Sequence, residues 1–392
     1  MKQLGDSHNF GRRVTQNGTR IRKPRTLLWE WLLLAKNSPL RRFLREAAAR
    51  DGLGPDAFGF LLELKFFGSK GPAGGEVERA ELTPLPTRSN AQSRAELAQV
   101  AGKSLALWSW LGVSDLHWEN LVLGIGERER VVFSPLDIEM ILADLDSPTA
   151  TKLLPDADPE YAEISRHACG IRRVLPVLGK PVDAGDLLTM VSSYRRMLAF
   201  LDRHAIAIAA IFSSLPQLHE TPIRVCLRGT EEYVRARSAP LWPPLLDAEA
   251  EQLARGDIPY FFQLYGRRGI HYYGDRSLKK IVTLPLAGDT PQPDPILKLS
   301  RNLKAPSRKK LREEGLFTLL GAFDHTELAG THTNDDIEVR FGARTLTVKL
   351  SGGEELSSRR NLRAFVNSVY LPCRCGEVRT VFVPTRTVCR NF

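Results

Sequence analysis

The feature that most restricts this 392-residue chain is an ordered series of polar residues between Gly5 and Glu139. A glycine-flanked segment, Gly5-Asp6-Ser7-His8-Asn9-Phe10-Gly11, comes first. Lys23 follows just before Pro24, then Asp115 and Asn120 on one short loop, then Asp137 and Glu139 after two apolar runs. Phosphoryl transfer needs a loop over the phosphates and a lysine on a neighbouring strand. It also needs a catalytic-loop Asp near the acceptor hydroxyl, an Asn for one metal ion and a second Asp for Mg²⁺. The chain carries these groups in that order, with Glu139 two residues beyond the metal Asp. Taken singly each has an ordinary reading: a Gly-Asp-Ser-His segment is turn chemistry, and Asp and Asn satisfy loop backbone. Their joint order carries the phosphotransferase reading.

Local patterns place these groups on elements. Residues 5–11 read as a loop opening a hairpin, with strands near 12–14 and 20–23 and Asn17-Gly18 as the turn signal. Residues 27–34 are apolar enough to be buried. Ser38-Pro39 predicts an N-cap with proline at the first helical position, for a helix through Arg50 that Asp51-Gly52 closes. Residues 69–93, rich in Gly, Pro, Ser and Thr, read as an exposed loop, and 93–111 as a helix. The runs 121–124 and 131–133 predict a hairpin that delivers Asp137. Residues 186–214 predict a long amphipathic helix in more than one piece. Alternation over 337–350 predicts a strand pair, and 378–383 a further strand.

Composition bounds the rest. The chain carries 43% hydrophobic residues, enough for a substantial core. Its five cysteines do not describe a disulfide scaffold. The N-terminus has no apolar signal region, and no apolar run is long enough to span a bilayer, so the expected location is cytoplasmic. A formal net charge of +10 favours anionic partners such as nucleotide or acidic peptide.

Four stretches resemble the dehydratase domain of class II lanthipeptide synthetases (the LanM family). They are Gly5-Asp6-Ser7-His8 leading to Lys23-Pro24-Arg25; Asp115-Leu116-His117-Trp118-Glu119-Asn120 with Asp137-Ile138-Glu139; Arg224-Val225-Cys226-Leu227-Arg228-Gly229-Thr230 with Tyr233; and Gly256-Asp257-Ile258-Pro259-Tyr260-Phe261. The likeness spans roughly residues 5 to 265. It implies an α+β, lipid-kinase-like two-lobed fold with an incomplete N-lobe and a largely helical C-lobe. Residues 1–68 would form the partial N-lobe and 69–330 the C-lobe, while 331–392, outside the likeness, read as a β-rich extension of unknown role. It also implies a lanthipeptide dehydratase that phosphorylates Ser and Thr of a ribosomal precursor peptide with ATP and Mg²⁺. Elimination of the phosphate then gives dehydroalanine or dehydrobutyrine. By motif, Asp6, His8 and Lys23 would serve the nucleotide and its phosphates. Asp115, His117 and Asn120 would form the catalytic loop, with Asn120, Asp137 and Glu139 at the metal. Arg224 and Thr230 match the family's elimination residues. An arginine fork suits a departing phosphate, while Thr230 before Glu231-Glu232 also reads as a helix N-cap.

The chain departs from the family in three ways. A long segment precedes the Gly-Asp-x-His motif in the family, whereas here the motif starts at residue 5, which leaves open a separate N-terminal partner chain. The stretch between Asp6 and Lys23 is shorter than usual. The Cys-His-Gly run of the family's cyclase zinc site does not occur, so no cyclisation is expected and a cyclase would be a separate chain. Cys373, Cys375 and Cys389 read as reduced bystanders in preference to a zinc site. The partner expected is a precursor peptide with its leader, with no membrane and no nucleic acid. Two other readings stay open: a phosphotransferase without elimination, and a truncated non-catalytic peptide-binding paralogue.

Overall fold

The computed structural model describes residues 2–54, 56–68, 75–79, 81–85, 91–143, 148–155, 169–179, 181–239, 245–265, 267–285, 306–324, 326–359, 369–372 and 378–381. The fold is α+β, with antiparallel sheets packed around a helical body. Five strands form the first sheet: β1 (Lys2–His8), β2 (Arg12–Asn17), β3 (Arg20–Lys23), β4 (Leu64–Phe67) and β5 (Gly75–Arg79). Their order is β1-β2-β3-β5-β4. Asn17 pairs with Arg20, so Gly18 and Thr19 make the two-residue turn, and Gly18 takes the left-handed φ of 59° that such hairpins need.

Two expectations are corrected here. Gly5 to His8 belongs to β1, and the turn is confined to Asn9, Phe10 and Gly11. Strand β5 lies inside the stretch read as an exposed loop. Val77 is its single large apolar residue and is buried between acidic neighbours, so the composition of the segment hid a strand that two neighbours pair on both sides.

Helices α1 (Leu28–Leu34) and α2 (Pro39–Arg50) come between β3 and β4. The Ser38 hydroxyl accepts a hydrogen bond from the Arg41 backbone N–H at 3.1 Å, as the cap signal predicts. Helix α3 (Ala91–Trp110) leads to the hairpin of β6 (Leu121–Ile125) and β7 (Val131–Pro135). After α4 (Leu175–Leu178) the predicted long helix appears in two pieces, α5 (Ala184–Arg203) and α6 (Ala205–Ser213). Helix α3 packs so closely on α5 that a Cβ on Gly102 would stand 2.1 Å from the Met190 carbonyl oxygen.

Another four-stranded sheet runs β11-β10-β9-β8, from β8 (Pro222–Val225), β9 (Phe261–Leu264), β10 (His271–Tyr273) and β11 (Ile281–Thr283). Helices α7 (Thr230–Ala236) and α8 (Asp247–Ala254) lie between β8 and β9 in sequence. Helix α9 (Pro306–Phe323) precedes a meander of β12 (Gly330–Thr333), β13 (Ile337–Phe341), β14 (Thr345–Leu350) and β15 (Glu355–Arg359). Ile337, Val339 and Phe341 alternate inward from β13 and join the core that contains α1, α3 and α5. A last pair, β16 (Val369–Pro372) and β17 (Val378–Val381), takes up most of the strand expected at 378–383. Cys373, Cys375 and Cys389 lie outside the described residues. Among the described residues no helix is long and apolar enough to cross a membrane.

Candidate functional site

The first sheet, α1, the β6–β7 hairpin and β8 bring three cations and three carboxylates together. Lys23, at the end of β3, is 6% exposed. Its Nζ lies 3.2 Å from Glu30 Oε1 and 3.0 Å from Asp137 Oδ1, and it donates to the Leu136 carbonyl at 3.0 Å. Arg25 contacts Glu30 and Asp137 and donates from Nε to Glu139 Oε1 at 2.8 Å. Arg224, on β8, adds Nη1 at 3.6 Å from Glu139 Oε2, an oxygen that is buried without a hydrogen bond among the described residues. The Arg224 backbone N–H donates to the Glu139 carbonyl at 2.8 Å, which ties β8 to the segment after β7. Burial would raise the Asp137 carboxyl, but Arg25 and Lys23 outweigh it and hold the group well below the usual carboxylate range.

Asp115 and Asn120 face each other across a tight loop at the start of this hairpin. Asp115 takes a left-handed φ of 64°, and Asn120 Nδ2 donates to its carbonyl at 2.9 Å and its Oδ2 at 3.3 Å. That leaves the Asn120 side-chain oxygen available to a cation. His117 accepts the Glu119 N–H on Nδ1 at 3.3 Å, which puts the proton of the neutral ring on Nε2, 4.0 Å from Asp115 Oδ1. Lost hydration pushes the Asp115 carboxyl up, while His117, Lys152 and Arg224 pull it down. The influence of Arg224 and Asp137 on Asp115 joins this loop electrostatically to the ion-pair cluster.

The Gly-Asp-Ser-His segment is anchored by a residue 250 positions away. Asp257 is fully buried and accepts from Ser7 Oγ at 2.7 Å, Phe10 N at 2.7 Å, Gly11 N at 2.9 Å and Arg255 Nε at 3.0 Å. His8 Nδ1 stands 2.8 Å from the Ile258 carbonyl. A carbonyl only accepts, so Nδ1 carries the proton and Nε2 keeps its lone pair. Burial, then Arg224, lowers the His8 pKa below its ordinary value, which favours that neutral form. Asp6 is exposed on β1 and acts on His8 electrostatically.

Thr230 is exposed at the first position of α7, and Gly229 is the N-cap, its N–H donating to Glu232 Oε2 at 2.9 Å. The N-cap reading of Thr230 is therefore corrected by one residue, because a glutamate three residues after Gly229 reaches back to the cap backbone. Arg228 pairs with the buried Glu249 at 3.1 Å, which also accepts from Tyr233 Oη at 2.8 Å.

Three contributors escaped the sequence-based reading of the site. Glu30 was detectable as a lone acid inside the apolar run 27–34. Arg25 and Asp257 sit within motif stretches but gained their roles from partners distant in sequence. Among the described residues no group of three His, Cys, Asp or Glu side chains is arranged to hold a metal ion. No family model matches the chain, and no curated protein matches it.

Proposed function

We propose that this chain is an ATP-dependent phosphotransferase that phosphorylates Ser and Thr of a ribosomal precursor peptide and then eliminates the phosphate. The product residues would be dehydroalanine and dehydrobutyrine. The observation that carries this reading is the convergence on Lys23. A third-strand lysine pairs with a glutamate of the following helix and with the carboxylate that follows the hairpin. Protein kinases require that same lysine–glutamate pair together with a metal-binding Asp and a catalytic-loop Asn. In this reading the first sheet and α1 form the smaller lobe of a lipid-kinase-like fold, and the helical body forms the larger one.

Asn120 Oδ1 and Asp137 would hold a Mg²⁺ ion, which takes one or two protein oxygens and fills its shell with waters and phosphates. The ion would neutralise charge on the transferred group. Glu139 faces Arg25 and Arg224, so it anchors those guanidiniums in place of the metal-ligand role its motif position implies. Asp115 lies beside Asn120 as the acceptor of the substrate hydroxyl proton. His8, neutral with Nε2 unprotonated, and Asp6 face the nucleotide side. Arg224 is the group suited to hold the departing phosphate, with Thr230 as its partner on the adjoining segment.

Intact-mass spectrometry of a Ser/Thr-containing precursor peptide, incubated with the protein, ATP and Mg²⁺, tests this. Loss of water is expected, Lys23→Ala abolishes it, and Arg224→Ala accumulates phosphopeptide. A peptide left unchanged by the wild type overturns the reading. A second reading stops at phosphoryl transfer, favoured by the exposed position of Thr230 and by the pairing of Arg224 with Glu139. Gain of phosphate without loss of water selects it.

A further inference from the structure

A separate concavity of about 530 Å³ lies between α2, residues 56–65, the β4–β5 end of the first sheet, and the turn of the β6–β7 hairpin. None of the six ionic residues of the Lys23 cluster lines it. Phe58, Leu62 and Val132 supply apolar wall, each almost fully buried. Arg41 lines the same cavity at 2% exposure, and its Nε and Nη1 have no hydrogen-bond partner among the described residues. Glu63 Oε1 stands 3.8 Å from Nη2, beyond hydrogen-bond reach, and the same carboxylate is held by Lys36 at 3.2 Å. Arg45, one helical turn along, adds a like charge.

Burying guanidinium donors without acceptors is costly. Burial pushes Arg41 down to about 10, with Glu63 raising and Arg45 lowering it, so the group is still a cation at neutral pH. Of the acids on the lining, Asp56 pairs with Arg130 and Glu78 with Lys65 at 3.8 Å, and Glu81 and Glu127 line the cavity as well. The cavity thus offers a buried cation short of acceptors beside hydrocarbon walls, at a size ordinary for ligand pockets.

We propose that this pocket binds a carboxylate carried on an apolar body, with Arg41 as the anion-binding residue. The carboxylates on the pocket lining oppose a phosphate dianion more strongly than a monoanion, and the apolar walls reward a hydrocarbon body. A free organic acid and the acidic side chain of an apolar peptide present this same chemistry.

Calorimetric titration of the full chain with hexanoate and with acetyl-Leu-Glu-Leu-amide tests the proposal, using hexanamide and acetyl-Leu-Gln-Leu-amide as neutral controls. The acids bind, and the amides bind weaker by about tenfold or more. Arg41→Met abolishes acid binding while its Tm equals or exceeds that of the wild type, because it removes an unpaired buried charge. Arg41→Lys keeps the charge without the fork, weakens binding by about tenfold or more, and decides the matter should the Met variant not fold. Tighter binding of the peptide identifies a peptide source, and tighter binding of hexanoate a free acid. Equal affinity for acid and amide, unchanged binding in the Arg41 variants, displacement by ATP–Mg²⁺, equal binding of inorganic phosphate, or binding of neither acid overturns it. Nothing in this measurement depends on peptide turnover, so it stands apart from the phosphotransfer reading.

Discussion

Replacing Asp257 with alanine removes one carboxylate shared by four donors, those of Ser7, Phe10, Gly11 and Arg255. Hydrogen bonds to a charged acceptor contribute roughly 1.5–3 kcal/mol each. Adding them independently would give about 6–12 kcal/mol, comparable to the entire stability of a typical domain. Coupled contacts do not add, and the Phe10 and Gly11 amides are only partly buried and regain water. The expected loss is therefore about 3–5 kcal/mol, the cost of breaking a buried charged network. Asp257→Asn should fall short of this. It retains Oδ1 for Ser7 and Gly11 but sets an amide NH₂ against the Phe10 N–H and Arg255. Urea denaturation of both variants reads the loss, and the midpoint should move with little change of slope. The sign with pH also follows. Burial raises the Asp257 carboxyl, but Ser7, Gly11, Arg255 and Phe10 lower it further, so its folded pKa lies below the unfolded one. Its contribution is complete above about pH 4, the unfolded carboxyl value, and is lost as pH falls through the folded pKa. The alanine variant should lose that acid-side slope. A loss under about 1 kcal/mol, the worth of one ordinary hydrogen bond, would refute the claim that Asp257 pins the turn.

Glu30→Gln leaves Lys23 and Arg25 with one fewer counter-charge in a site where Glu30 is 1% exposed, and should cost about 3–5 kcal/mol. Thermal denaturation checks it, and an unchanged Tm contradicts the paired-cluster account. Gly102→Ala forces a Cβ toward the Met190 carbonyl and should destabilise the α3–α5 contact by about 1–3 kcal/mol or more, read by urea midpoint. His8 should titrate below its ordinary value in an NMR pH series. The unfolded chain then takes up that proton first, so stability falls as pH drops below about 6.5 and levels off once His8 itself is protonated. His8→Asn should flatten that slope.

Local chemistry made much of the scaffold legible. Ser38-Pro39 marks a helix start because one hydroxyl can satisfy an amide three residues on. Gly18 marks a hairpin because a left-handed φ suits a residue without Cβ. The alternation at 337–350 marks paired strands because the pleat has a period of two. Strand β5 was missed because Val77 is its one large apolar signal, and its pairing is decided by β3 and β4 on either side. The Gly5–His8 stretch reads as loop because its composition fits a turn, while the fold carries it as the irregular end of β1, where the register shifts between Leu4 and His8 before His8 pairs with Arg12 of β2.

By itself, the sequence determined which acidic, basic and amide side chains the candidate site can draw on, their order, and the elements that carry most of them. Only the tertiary structure decided their partners. Lys23 meets Glu30 and Asp137, Asp257 receives the turn 9–11 from the far end of the chain, and Arg41 is buried with two donors unpaired among the described residues. The reason lies in the range of the forces involved. Caps, turns and strand alternation act over a few residues and leave their mark in local composition. An ion pair or a stranded guanidinium depends on which side chains the folded core excludes from water, and that is set by contacts hundreds of residues apart.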